Sequence, residues 1–74
     1  MTKRVRKHWI GTPPEKCELC GRPIVDTFVD GKTVYGPWSN MCLPCHNQYG
    51  IGLGTGHGQK YQKQNDGTWL KVGG

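Results

Sequence analysis

Two short stretches constrain this chain more than any others, Cys17-Glu18-Leu19-Cys20 and Cys42-Leu43-Pro44-Cys45. Each places two residues between its thiols, and the four cysteines are all that the chain has. A two-residue gap lets a tight turn aim both sulfurs at a point ~2.3 Å from each, with turn amides free to hydrogen-bond the thiolates. The interval from Cys20 to Cys42 accommodates one hairpin and is too short for a second domain. The spacing predicts a single tetrahedral site in which Cys17, Cys20, Cys42 and Cys45 hold one Zn2+. Iron accepts the same four thiolates, and spacing does not separate the two metals.

Size makes such a site decisive. The chain has 74 residues, of which 34% are hydrophobic. A core that small rarely supplies more than ~3–5 kcal/mol, whereas structural zinc in finger peptides binds with an apparent ~10–16 kcal/mol. The metal outweighs the core, so the metal-free chain is expected to be largely unfolded. Residues 1–10 carry basic side chains but no apolar run of signal-peptide length, and no stretch approaches a membrane span. The expectation is a cytoplasmic protein with no membrane association, whose reduced thiols are free for metal. A secreted mini-protein with two disulfides is the competing reading of the same cysteines.

The formal charge is +5, and its distribution matters more than its sum. Lys3, Arg4, Arg6 and Lys7 crowd into residues 1–7, while Lys60, Lys63 and Lys71 face only Asp66 in residues 60–74. Between them the balance is slightly acidic, and four thiolates on a divalent ion make it more so. Positive charge therefore sits at the two ends of the chain and not on the metal clasp.

Taken in order, residues 1–14 read as a basic N-terminal arm that Pro13-Pro14 closes off. The arm is either a solvated tail or a phosphate-binding segment, and Trp9 can cap a small core or stack on a base. Residues 15–50 form the four-cysteine unit. Gly21 suits the turn after Cys20, and Asp30-Gly31 between Ile24–Val29 and Thr33–Tyr35 predicts a β-hairpin. Trp38 is expected to pack beside the metal. Ser39 or Asn40 is the expected cap of a short helix from Cys42 to Tyr49, with Pro44 in its first turn and Gly50 as its stop. Residues 51–58 continue a run in which glycine alternates with Ile51, Leu53, Thr55 and His57. If extended, that run has one bare face and one bearing side chains, and its Ile51 and Leu53 argue for a packed segment over a plain linker. Residues 59–74 predict a C-terminal β-hairpin and tail, turning at Asn65-Asp66-Gly67 with Tyr61 on one arm and Trp69 on the other.

Knuckle, hairpin, then a second pair that opens a short helix is an order that resembles the treble-clef zinc fingers, and Met41-Cys42-Leu43-Pro44-Cys45 resembles the helix-opening knuckle of the GATA-type members. The resemblance spans Cys17 to Gly50 and implies a small metal-stabilised α+β fold: a treble clef of zinc knuckle, β-hairpin and short helix, followed by a C-terminal β-hairpin. Its metal ligands map onto Cys17, Cys20, Cys42 and Cys45. Its DNA-reading residues find no match in His46 to Tyr49. The whole chain with its glycine run is similar to small zinc-finger proteins encoded by bacteriophages, a likeness that implies no function.

Other chemistry fits less well. Cys42-Leu43-Pro44-Cys45-His46 matches the haem-attachment pattern, which leaves Cys17 and Cys20 without a role. A histidine–metal nuclease would need His8, His46 or His57 to meet a second metal. A zinc held by four thiolates has no open position for water, so no enzymatic activity is expected. The leading expectation is a monomer that binds DNA or RNA. Lys3, Arg4, Arg6, Lys7, Lys60, Lys63 and Lys71 would contact phosphates, and Trp9, Tyr61 or Trp69 would stack. The alternative is a protein-interaction module, a viral factor that binds a host protein through the Gly-rich segment and the finger surface.

Overall fold

The computed structural model describes His8, Trp9 and residues 11–74. The four basic residues of the arm, Lys3, Arg4, Arg6 and Lys7, lie outside the described residues, as does Ile10. The order of elements is β1 (Thr27–Lys32), β2 (Trp38–Met41), α1 (Leu43–Tyr49), β3 (Gly58–Lys63) and β4 (Trp69–Gly73). The strands form one antiparallel sheet in the order β2-β1-β3-β4, so the described residues make a small α+β unit with one sheet and one helix. No helix among the described residues is long and apolar enough to cross a membrane.

The first hairpin turns later than its Asp-Gly pair suggests. Asp30 and Gly31 lie inside β1, where Gly31 pairs with Ser39 on one side and Gly58 on the other. The turn falls at Thr33–Pro37, closed by Thr33 N–H to Pro37 C=O (3.1 Å), Thr33 Oγ1 to the same carbonyl (2.9 Å) and Gly36 N–H to Thr33 C=O (2.9 Å). Gly36, at φ +106°, supplies the left-handed residue that this turn needs. Gly31 serves a different end. A Cβ there would lie 3.1 Å from the His57 carbonyl oxygen and 3.4 Å from Gly58 Cα, so the glycine admits β3 at close quarters.

Strand alternation divides the small core between the two faces of the sheet. Phe28 and Val29, both fully buried, are neighbours on β1 and therefore point to opposite sides. On the Phe28 side the rings of Trp9, Tyr61 and Trp69 surround it with centroids 5.1–5.3 Å away, except that Trp9 meets Phe28 and Tyr61 edge-on. On the Val29 side Met41, the cross-strand partner of Val29, packs with Cys17, Cys42, Cys45 and Tyr49, and α1 lies over β1. Trp38 does not join this cluster. It opens β2 opposite Lys32 and is 46% exposed, because the shifted hairpin puts it on the Phe28 side at the edge of the sheet.

The glycine run is not extended. It makes a tight loop in which Gly54 N–H bonds Gly58 C=O (2.8 Å) while His57 and Gly58 N–H bond Gly54 C=O (2.9 and 3.0 Å). Gly52, Gly54 and Gly56 all have positive φ, a succession that side-chain-bearing residues rarely adopt. The last turn, between β3 and β4, uses Asn65-Asp66-Gly67. Gln64 N–H bonds Thr68 C=O (2.7 Å), and the Asp66 carboxylate accepts from both Thr68 N–H and Thr68 Oγ1. Those bonds hold Asp66 below the usual carboxylate range.

Candidate metal centre

The first cysteine pair is fixed by backbone bonds around its own turn and to the sheet. Cys17 N–H reaches Arg22 C=O (2.8 Å), Gly21 N–H returns to Cys17 C=O (2.9 Å), and Lys16 bridges Pro23. Glu18 ties this knuckle to the free edge of β2. Its N–H donates to Asn40 C=O (2.9 Å), and its Oε1 accepts Asn40 N–H at 2.6 Å. Nothing local in the sequence marks Glu18 as a carboxylate that will stand in for a neighbouring strand. The second pair sits where β2 ends and α1 begins. Cys42 is the N-cap residue, its carbonyl accepts the first helical bond from His46 N–H (3.0 Å), and Pro44 occupies the first turn, where it loses no hydrogen bond. Ser39 and Asn40, the expected caps, belong to β2 instead, and the cap carries no side-chain hydrogen bond.

These two scaffolds bring four sulfurs together. The Sγ atoms of Cys17, Cys20, Cys42 and Cys45 all lie within 4.8 Å of one another, and Cys20 Sγ is 3.6 Å from Cys42 Sγ. A tetrahedron with metal–sulfur bonds of ~2.3 Å needs sulfurs about 3.8 Å apart, so the cluster has the dimensions of one metal ion. All four cysteines are free, and the 3.6 Å contact is far outside the ~2.05 Å of a disulfide. Cys17, Cys42 and Cys45 are buried, while Cys20 is exposed at the rim.

The surroundings treat the thiols unequally. Burial pushes Cys17 up, but the backbone N–H groups of Cys42, Cys20 and Leu19 outweigh it and bring the thiol down to about 6. Burial pushes Cys42 and Cys45 up, with Cys45 furthest. A metal held by four thiolates displaces the remaining thiol protons as it binds. His46 lies one position beyond Cys45, with its Nε2 3.0 Å from the Gly52 carbonyl oxygen, so it braces the loop after the helix. His8 and His57 are not gathered with it into any metal-ligating group among the described residues.

The remaining predicted site residues fall on different surfaces. By strand alternation and register, Lys63 and Lys71 share the Phe28 side with Tyr61 and Trp69, whereas Lys60, opposite Val29 and Gly73, points to the metal side. Trp69 is only 7% exposed, because it packs against Phe28, so it is a core residue and not a stacking platform. Trp9 and Tyr61 are half-buried in the same ring cluster. Trp9 N–H bonds Trp69 C=O (2.8 Å) and His8 bridges Leu70, which lays this part of the arm along β4. Family models, curated proteins and solved structures were all compared with the chain, and none matches.

Proposed function

We propose that this chain is a non-enzymatic structural-zinc protein that binds nucleic acid through its two basic ends. The four-thiolate set suits zinc, and four protein ligands leave that ion no place for a reacting water. The knuckle at Cys17–Cys20, the β1–β2 hairpin and the helix opening at the second pair follow treble-clef order, which supports a finger of that type with two strands added.

One observation carries the nucleic-acid reading. The two basic ends are far apart in sequence, yet His8 bridges Leu70 and Trp9 bonds Trp69. The junction with Lys3, Arg4, Arg6 and Lys7 thus lies beside the strand that bears Lys71 and next to the one that bears Lys63. A single phosphate backbone can meet both ends there, with counterion release as the driving term. The exposed apolar residues Ile51 and Leu53 of the Gly-rich segment support the second reading, a protein-interaction module.

The test is binding of fluorescent DNA and RNA oligonucleotides to the zinc-loaded protein across a salt series. Neutralising the four arm residues is expected to flatten the log–log salt slope by up to about 3.6 units on duplex DNA and about 2.8 on single strands. Lys63→Gln with Lys71→Gln should remove up to about two more, while Lys60→Gln, on the other side of the sheet, should change little. Absence of binding at low salt for both nucleic acids would defeat the reading.

A further inference from the structure

The metal cluster and α1 lie on the Val29 side of the sheet, so the Phe28 side has no helix over it among the described residues. Register and alternation arrange that side in rows. Phe28 and Tyr61 belong to the ring cluster. The next row is polar, with Asp30 between its cross-strand partners Asn40 and Gln59. Trp38 and Lys32, both exposed, form the row nearest the β1–β2 turn. The polar row is not satisfied from within. Among the described residues Asn40 Oδ1 is buried without a hydrogen-bond partner, and nothing offsets the burial of the Asp30 carboxyl beside the charge of Glu18.

We propose, resting on the nucleic-acid reading above, that this row binds one unpaired guanine of a DNA or RNA strand, with the base stacked on Trp38 and its Watson–Crick edge on Asp30. Charge selects the class of ligand. The strand residues of this side carry three lysines, Lys32, Lys63 and Lys71, against the single carboxylate of Asp30. They attract a polyanion and repel a cationic side chain of a protein partner. The ligand is then anionic as a whole and yet supplies N–H donors to a carboxylate, which only accepts. A nucleotide meets both conditions.

Guanine alone among the standard bases sets two N–H groups side by side on one edge, N1–H and the N2 amino, to match the two oxygens of a carboxylate. Its O6, next to them, accepts from a flanking carboxamide, that of Asn40 or Gln59. In a duplex this edge is occupied by cytosine, so the site takes unpaired bases. Trp38 and Asp30 are diagonal neighbours across β1 and β2, ~7–8 Å apart, a separation that a base stacked on the indole can span. Lys32, opposite Trp38, is placed for the adjoining phosphate.

The experiment is fluorescence anisotropy of the zinc-loaded protein with oligo-dT and with the same strand carrying one central dG, dA, dC or deoxyinosine. Oligo-U with one guanosine runs the comparison in RNA. The dG strand is expected to bind about tenfold tighter than oligo-dT, the scale of one bidentate base contact. Deoxyinosine, which lacks the N2 amino group, should lose most of that gain, and a deaza analogue without N7 should keep it. Annealing the complement should remove the preference. Asp30→Asn should bring the dG and dT strands within about twofold of each other. Asp26→Asn, the same charge change at an exposed position ahead of β1, should preserve their ratio. Trp38→Leu should weaken binding of the dG strand about tenfold. Bound zinc reports whether each variant keeps its fold, and the deoxyinosine comparison needs no variant. Binding indifferent to the central base, or a guanine preference that survives Asp30→Asn, overturns the proposal and leaves the phosphate contacts of the basic ends standing. Absence of binding to every strand defeats both and leaves Asp30 to a cationic partner.

Discussion

Asp30 shows how a single residue can be placed against its own preference. It sits mid-strand between Asn40 and Gln59, and burial first, then the charge of Glu18, raises its carboxyl above the usual range. A carboxyl raised by folding penalises the folded state most above its folded pKa, and that penalty fades as pH falls through it. Asp30→Asn is therefore expected to raise the melting temperature of the metal-loaded protein by about 2–5 °C at neutral pH, the scale of a fraction of a kcal/mol in a domain this size. Thermal melts by circular dichroism check it, and the gain should shrink as the pH approaches the titration of Asp30. The residue also marks where reading from sequence stops. Asp30-Gly31 carries a strong local signal for a turn, but Gly31 is glycine for the sake of Gly58, far along the chain. Local pattern cannot register a contact of that kind. The cysteines were legible because metal chemistry restricts both residue type and spacing, and Asn65-Asp66-Gly67 because nothing distant competes for it. Trp38 was not, since its position depends on the register of the hairpin before it.

At the scale of elements, α1 is short and ends without the left-handed glycine usual for helix stops. Gly50 has φ −78°, ordinary extended backbone, and its N–H bonds His46 C=O at 2.9 Å. Its lack of a side chain matters for a different reason. A Cβ would lie 2.7 Å from that carbonyl oxygen and 2.9 Å from His46 Nε2. Gly50→Ala should destabilise the protein by about 1–3 kcal/mol, the usual range for overpacking. In denaturant titrations His46→Ala should rescue only part of the loss, because removing the imidazole leaves the carbonyl contact in place. Full rescue would place the whole effect in the ring. The helix itself was foreseeable from Pro44 near its start and the window up to Gly50. Its cap was not, because Ser39 and Asn40 have good capping chemistry but are drawn into β2 by pairing with β1.

At the scale of the molecule, two clusters too small to persist alone share one strand. The metal side holds the cysteines, Met41 and Tyr49, and the ring side holds Trp9, Phe28, Tyr61 and Trp69. Chelation should therefore abolish both together, because the ~3–5 kcal/mol available to a core of this size cannot replace the metal's contribution. The expected observation is one coincident transition in helical circular dichroism and tryptophan emission, with emission moving to longer wavelength. Rings that stay sequestered after complete metal removal would show the two sides to be separable.

The adjacency of Phe28 and Val29 has a consequence for descent as well as for folding. A strand with water on one flank tolerates drift at every other position, whereas one walled on both flanks tolerates it at neither of two consecutive ones. Any lineage carrying this architecture should thus preserve a bulky doublet in the middle of its first strand, even where the termini and the loop tips have diverged beyond comparison.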